Sequence, residues 1–129
     1  MPESASAIVL GFDFGEVRIG IATGNRITHS ASPLTIVTGK DNATKFARID
    51  ALIKEWQPAT LVVGRPLYPD GNPHEMTARC ERFSRQLHGR SGLPVALIDE
   101  RYSSAVTSDD AQAAAEILQQ YLTEDGSMK

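Results

Sequence analysis

Acidic residues stand at three places where the pattern of the chain changes. Asp13 closes the apolar run "SAIVLGFDF", Asp99 and Glu100 close "PVALIDE", and Asp109 and Asp110 open an alanine-rich stretch. Carboxylates gathered without cations repel one another and resist ionisation. Divalent ions relieve that repulsion, and Mg²⁺ in particular takes oxygen ligands while keeping several waters. Two such ions about 4 Å apart can activate a water and steady the leaving oxygen of a phosphodiester. The expected chemistry is therefore metal-assisted hydrolysis, centred on Asp13, Glu100 and Asp110. Asp99 and Asp109 stand beside two of these and are not separated from them by spacing. Each acid also has an ordinary reading. Asp13 suits a turn in "DFG", Glu100 can pair with Arg101, and Thr107-x-x-Asp110 has the form of a capping box.

A second constellation is "VVGRPLYPDGN". A glycine ends an apolar run, and Pro66, Pro69 and Gly71 stiffen the loop that leads to a helix start. Backbone N–H groups at such a place can hold phosphate. Arg65 adds a bidentate phosphate donor and Tyr68 a ring on which a base can stack. Arg79, Arg82, Arg85, His88 and Arg90 crowd the following helix and its exit, and read more as its solvated side than as a nucleic-acid face. Arg18, between Gly15 and Gly20, faces phosphate or pairs with a neighbouring acid. Cys80, at a core position, reads as inert packing.

These residues need elements to aim them. "SAIVLGFDF", "VRIGIATG" and "ITHSASPLTIV" read as three strands with short connections, Val17, Ile19 and Ile21 sharing one face of the second. Phe46, Ile49, Leu52, Ile53 and Trp56 fall at helical spacing behind Asp41, a fit N-cap. "ATLVVG" at 59–64 is a short buried strand. The next helix has Asn72 as N-cap, Pro73 at its first position, Glu75 completing a capping box, and a stripe of Met76, Cys80, Phe83 and Leu87. "PVALIDE" is a further strand. A last helix over about 108–122 carries Ala111, Ala114, Ala115, Leu118 and Leu122 on one side. The order β-β-β-α-β-α-β-α predicts a three-stranded antiparallel meander extended by two right-handed parallel crossovers. That is a mixed five-stranded sheet flanked by helices, the ribonuclease H-like architecture. In open α/β sheets, sites form beyond the carboxyl ends of the parallel strands, near the topological switch point. Asp13 and Glu100 converge there if the first, fourth and fifth strands are neighbours.

The chain has 129 residues, which predicts one domain over 1–129 with a core that needs no staples. A single cysteine points to a reducing compartment. There is no long apolar run and no basic, apolar leader, so no membrane partner is expected and the cytoplasm is the default. The formal charge is −3. A chain that bound nucleic acid by its own charge would usually be basic, so such a partner requires a local basic face or bound cations.

In their order these segments resemble the YqgF family. The family's Asp-x-Gly-x-x-Arg-x-Gly-x-Ala opening is matched by Asp13, Gly15, Arg18, Gly20 and Ala22. Its Gly-x-Pro-x-x-x-Asp-Gly loop is matched by Gly64, Pro66, Asp70 and Gly71. Its Asp-Glu-Arg followed by hydroxyl residues is matched by Asp99, Glu100, Arg101, Ser103 and Ser104. Its closing acid and helix are matched by Asp110, Ile117, Leu118, Tyr121 and Leu122. The resemblance implies a ribonuclease H-like nuclease in which Asp13, Glu100 and Asp110 are the catalytic and metal-holding triad, with Mg²⁺ or Mn²⁺ as cofactor. It also implies a nucleic-acid surface that includes Arg18, Arg65, Tyr68, Arg101, Ser103 and Ser104. Two substrates follow from it: the 5′ end of precursor 16S ribosomal RNA, within ribosomal precursor particles, or four-way DNA junctions. The second favours a homodimer over a monomer, because two symmetric cuts need two sites.

Two departures stand out. Arg65 and Tyr68 replace the aliphatic and amide residues more usual in the family, and only residues 105–109 separate Ser104 from Asp110, where the family carries a longer segment. The shortened spacer keeps open a third reading, a non-catalytic RNA- or ribosome-binding module. A sugar-kinase-type ATPase shares the Asp-x-Gly opening but needs two such domains, for which this length has no room.

Overall fold

A computed structural model describes residues 7–15, 17–67, 70, 72, 75–101 and 110–127 of the chain. Five strands and three helices follow the expected order: β1 (Ile8–Asp13), β2 (Arg18–Asn25), β3 (Ser30–Thr38), α1 (Asn42–Trp56), β4 (Thr60–Leu67), α2 (Glu75–Ser91), β5 (Val95–Arg101) and α3 (Asp110–Ser127). The sheet runs β3-β2-β1-β4-β5. β1 and β2 pair antiparallel, as do β2 and β3, while β4 is parallel to both β1 and β5.

Strand alternation sends neighbouring residues to opposite faces. On one face Leu10, Phe12, Ile19, Ile21, Leu61 and Val63 pack under α1 and α2, with Phe46, Ile49, Cys80, Phe83 and Leu87 from the helices. On the other, Val9, Ala22, Val62 and Ile98 meet Ala114, Ala115, Ile117, Leu118 and Leu122 of α3. Both faces are covered, which is why the central strands are apolar throughout rather than alternating.

Asp41 caps α1 as expected. It accepts a 2.8 Å hydrogen bond from the Thr44 N–H, and that bond is the main cause of a carboxyl pKa below its ordinary range. Gln57 closes the helix in the left-handed conformation, at φ 48°. At β3, an edge strand, the pairing skips a residue between Ile21↔Thr35 and Ala22↔Pro33. The skip falls beside Pro33, which has no N–H to give to the ladder.

Four details differ from the sequence reading. Val17 and Ile27, read as strand residues, are 72% and 78% exposed and lie outside the strands. The turn after β1 consumes Val17, and the β2–β3 hairpin consumes Ile27. β4 runs on to Leu67 because β5 pairs with it through Pro66↔Glu100 and Leu67↔Arg101. α3 continues to Ser127, five residues past the expected end at 122. The cap expected at Asn72, with Pro73 at the first helical position and Glu75 completing the box, rests on Pro73 and the Glu75 side chain, both outside what the structure describes; Asn72 itself donates from its N–H and its amide to the Asp70 carboxylate, at 3.0 and 2.9 Å.

Candidate active site

β1 ends at Asp13, on the boundary between the parallel and antiparallel halves of the sheet. Alternation along β1 puts Asp13 on the face of Val9 and Gly11, which is the α3 face. The chain then reverses tightly. A Cβ on Gly15 would stand 2.5 Å from the carbonyl oxygen of Arg18, so this position has room only for glycine. Arg18 is exposed at the start of β2, opposite Thr38.

The β5 acids are separated by the same alternation. Ala96 and Ile98 belong to the α3 face, while Val95 and Leu97 pack on the other. Position 100 therefore shares the face of Asp13, and Asp99 does not. The side chain of Asp99 is engaged elsewhere. Its Oδ1 accepts from Arg65 Nε at 2.7 Å and lies 2.6 Å from Nη2, while Arg65 Nη1 donates to Glu81 of α2 at 2.8 Å. The two carboxylates, Asp99 foremost, raise the pKa of Arg65 above its ordinary value. Arg65, expected to meet phosphate, thus ties the ends of β4 and β5 to α2. The register Arg65↔Asp99 makes the two direct neighbours, a pairing that can be derived from the sequence once the parallel order is drawn.

The third acid arrives on α3. A Cβ on Gly11 would meet Leu118 Cβ at 3.0 Å and the Ala114 carbonyl at 3.2 Å; one on Gly24, paired with Val9, would meet Leu118 and Leu122. The helix therefore runs antiparallel to β1, with its N-terminal end toward Asp13. From Ala114 back to Asp110 is about 6 Å along a helix, and from Gly11 on to Asp13 is about 6.6 Å along a strand. Position 110 thus comes level with Asp13. β1 and β5 both flank β4, and the register places position 100 two residues beyond the level of position 13, so the two backbone positions stand roughly 12 Å apart: about 10 Å across two strand spacings and about 6.6 Å along them.

The backbone brings positions 13, 100 and 110 to one face at one edge. The carboxylates of Glu100 and Asp110 and the Arg101 side chain lie outside what the structure describes, as do Tyr68, Ser103, Ser104, Asp109 and the short spacer 105–109. Among the described residues no three metal-binding side chains gather. What is present fits a hard cation: an Asp13 carboxylate at a partly exposed strand end, with two further acidic positions on its face and no thiol or imidazole among the three.

The fold is that of a ribonuclease H-like domain, with acidic positions at the carboxyl edge of its sheet. The chain belongs to the RuvX family, whose model, described as "Holliday junction resolvase", matches residues 7–109; it is the family that the YqgF motifs resemble. A Paraburkholderia xenovorans protein named "Putative pre-16S rRNA nuclease" is 50% identical over 128 residues, covering 90% of this chain and 88% of its own. A protein of the same name from Polynucleobacter necessarius is 49% identical, covering 89% of this chain and 84% of its own. RuvC of T. thermophilus, solved in complex with a Holliday junction substrate, superposes with a TM-score of 0.62 at 14% identity, over 94% of this chain and 96% of that one. At that identity the likeness is one of fold.

Proposed function

We propose that the chain is a single-domain endonuclease that hydrolyses phosphodiester bonds in structured RNA, acting on the 5′ end of precursor 16S ribosomal RNA. The observation that supports this reading is the backbone placement of positions 13, 100 and 110 on one face of the sheet, at the ends of β1 and β5 and the start of α3. The names of the half-identical relatives supply the substrate. Asp13, Glu100 and Asp110 would hold Mg²⁺ or Mn²⁺, which when bound supplies charge neutralisation and an acidified water. The chain's part is to fix ligands on two strands and a packed helix, where they have little positional freedom. Cations held there also offset the net charge of −3 against a polyanionic substrate. Arg18, Arg101, Ser103 and Ser104 lie in sequence beside the three acids and are assigned to the strand being cut, with Tyr68 at a greater distance. No described helix is long and apolar enough to cross a membrane, and the site of action is the cytoplasm, on ribosomal precursors.

Resolution of four-way DNA junctions is the second reading, favoured by the description of the family model. A paired assay separates the two. Precursor ribosomal RNA leader and a four-way DNA junction are each incubated with Mn²⁺ and either the wild type or Asp13→Asn. The expected result is cutting of the RNA that the substitution abolishes. Junction cutting alone transfers the assignment to the resolvase. Cutting that survives Asp13→Asn refutes the acidic edge, and absence of both cuts favours a non-catalytic binding module.

A further inference from the structure

The other face of the same sheet edge carries a cavity that the acidic site does not use. Its volume is about 370 Å³, and it lies between Phe14 after β1, Ile19 of β2, α1 and α2. Cavities of about 300–1,000 Å³ are the size that takes small organic groups. Three rings line it. Phe14 and Phe83 have centroids 4.8 Å apart and Phe46 and Phe83 5.7 Å apart, with interplanar angles of 34° and 32°. Phe83 and Phe46 are buried, while Phe14 is half-buried and presents the accessible ring. Among the described lining residues, Arg79 and Arg82 are exposed cations, Lys45 is a buried one, and none is a carboxylate. The described lining thus sets cationic side chains beside aromatic surface.

The place of the cavity matters as much as its lining. Phe14 follows Asp13 directly. Asp13 belongs to the α3 face of β1, whereas Phe14 packs against the cluster under α1 and α2. The aromatic mouth thus begins one residue along the chain from Asp13, on the opposite face of the sheet. A ligand for this cavity must present a flat ring to Phe14 and a negative group to the rim. An unpaired nucleotide has both, and base stacking on aromatic side chains is tolerant of base identity.

We infer that this cavity holds one unpaired nucleotide of the substrate strand, its base against Phe14 and its phosphate toward Lys45, Arg79 and Arg82. The inference rests on the proposed nuclease reading for the identity of the strand, and it adds a subsite on the opposite face of the sheet. Phe14 and Arg82 are then specificity-determining contacts. Such a subsite favours strands that have an unpaired base, which is free to leave its stack.

The test uses the full chain in EDTA, so that binding is read without cutting. Fluorescence anisotropy follows labelled single-stranded 12-mers, in RNA and in DNA, in which an abasic site is moved along the strand. In the wild type, one position is expected to weaken binding about 5- to 10-fold when its base is removed, in line with single-base stacking. In Phe14→Leu that position loses its effect. Arg82→Gln, at an exposed site, weakens every strand several-fold and lowers the salt slope by about one. Melting curves check folding, and if Phe14→Leu is unstable, Arg82→Gln decides alone. Base removal that costs the same at every position, or no strand binding by the wild type, overturns the inference. So does a change in sedimentation at unchanged strand affinity, which would make the face a contact between copies of the chain. Parallel Mn²⁺ digests keep the two readings apart. Cutting without position-dependent coupling refutes the subsite alone, whereas coupling without cutting refutes the nuclease and leaves a nucleotide site.

Discussion

Two glycines under α3 answer differently to the same added methyl group, and the difference tests how the third acid is positioned. At Gly24 a Cβ would stand 2.8 Å from Leu118 Cδ2 and 3.1 Å from Leu122 Cδ1, both ends of flexible side chains. At Gly11 it would stand 3.0 Å from Leu118 Cβ and 3.2 Å from the Ala114 carbonyl, neither of which a rotamer change can move. Overpacking a tight core costs about 1–3 kcal/mol, and replacing glycine in a strand returns about 0.5–1 kcal/mol. Gly24→Ala is therefore expected to cost no more than about 1 kcal/mol, and Gly11→Ala about 1–2 kcal/mol. Leu118 is fully buried, and Leu118→Ala alone should cost about 3 kcal/mol. The background separates the two sites. Leu118→Ala removes the nearest atoms that oppose Gly24→Ala, leaving only Leu122 Cδ1 at 3.1 Å, but keeps the Cβ and backbone that oppose Gly11→Ala. Urea titration of the double variants should give a coupling near 1 kcal/mol for the Gly24 pair and near zero for the Gly11 pair. Because Gly11→Ala must push the helix itself, and α3 begins at Asp110, cutting should fall roughly tenfold in that variant, in keeping with the steep cost of small misplacements. Equal couplings at the two sites, or a neutral Gly11→Ala with full activity, would refute the packing of α3 against β1 and its role in carrying Asp110.

Three further outcomes follow from side chains the structure describes. Arg65→Gln should cost about 1 kcal/mol, since the three side chains of its network are all partly exposed, and it should lower the cutting rate by loosening the β5 end; adding Asp99→Asn should restore part of the stability, and an unchanged chemical denaturation midpoint would dismiss the tie. Asp41→Ala should lower Tm by roughly 3–5 °C at neutral pH. The folded pKa of Asp41 lies below its ordinary value near 3.8, so its contribution is whole above that value and is lost as pH falls through the folded pKa. The Tm gap to the wild type should close in that window, and a gap that persists into strong acid would mean that the cap is not ionic. Gln57→Gly should stabilise the chain by about 0.5 kcal/mol, because a left-handed residue with a Cβ carries strain that glycine lacks; a lower urea midpoint would count against the cap geometry.

The fold could be read from the sequence because local signals and packing agree in it. Asp41 before a 3.6-residue pattern, and apolar runs of strand length between turn residues, left few topologies to consider. What local pattern could not give were the properties that depend on a partner. β4 extends past Gly64 only because β5 pairs with it, and Val17 lies outside β2 because the Gly15 turn uses it up. At the strand ends, spacing alone did not separate Glu100 from Asp99; the family resemblance implied Glu100, and register adds which of the two positions shares the face of Asp13. Once Ile98 and Ala96 are known to face α3, parity decides, and Asp99 goes to Arg65. The aromatic cavity left no signal, since Phe14, Phe46 and Phe83 are far apart in sequence and each reads singly as core.

The two faces of the sheet are built for different ends. Under α1 and α2 the strands present Leu, Ile and Phe, which hold the helices off and leave space at the edge. Under α3 they set Gly11, Ala22, Gly24 and Ala31 among Val9, Val62 and Ile98, and the helix answers with Ala111, Ala114 and Ala115 beside Ile117, Leu118 and Leu122. Small residues on both sides let a helix approach a sheet closely, at the cost of apolar area buried per residue. The return for that cost is position: a helix seated this close cannot slide or roll without driving Leu118 into the sheet. Each of the two faces could supply stability, but only the close one can fix where Asp110 begins relative to Asp13. The alanine-rich stripe, expected in sequence only as the packing side of the last helix, is thus what sets the position of the α3 N-terminus against β1.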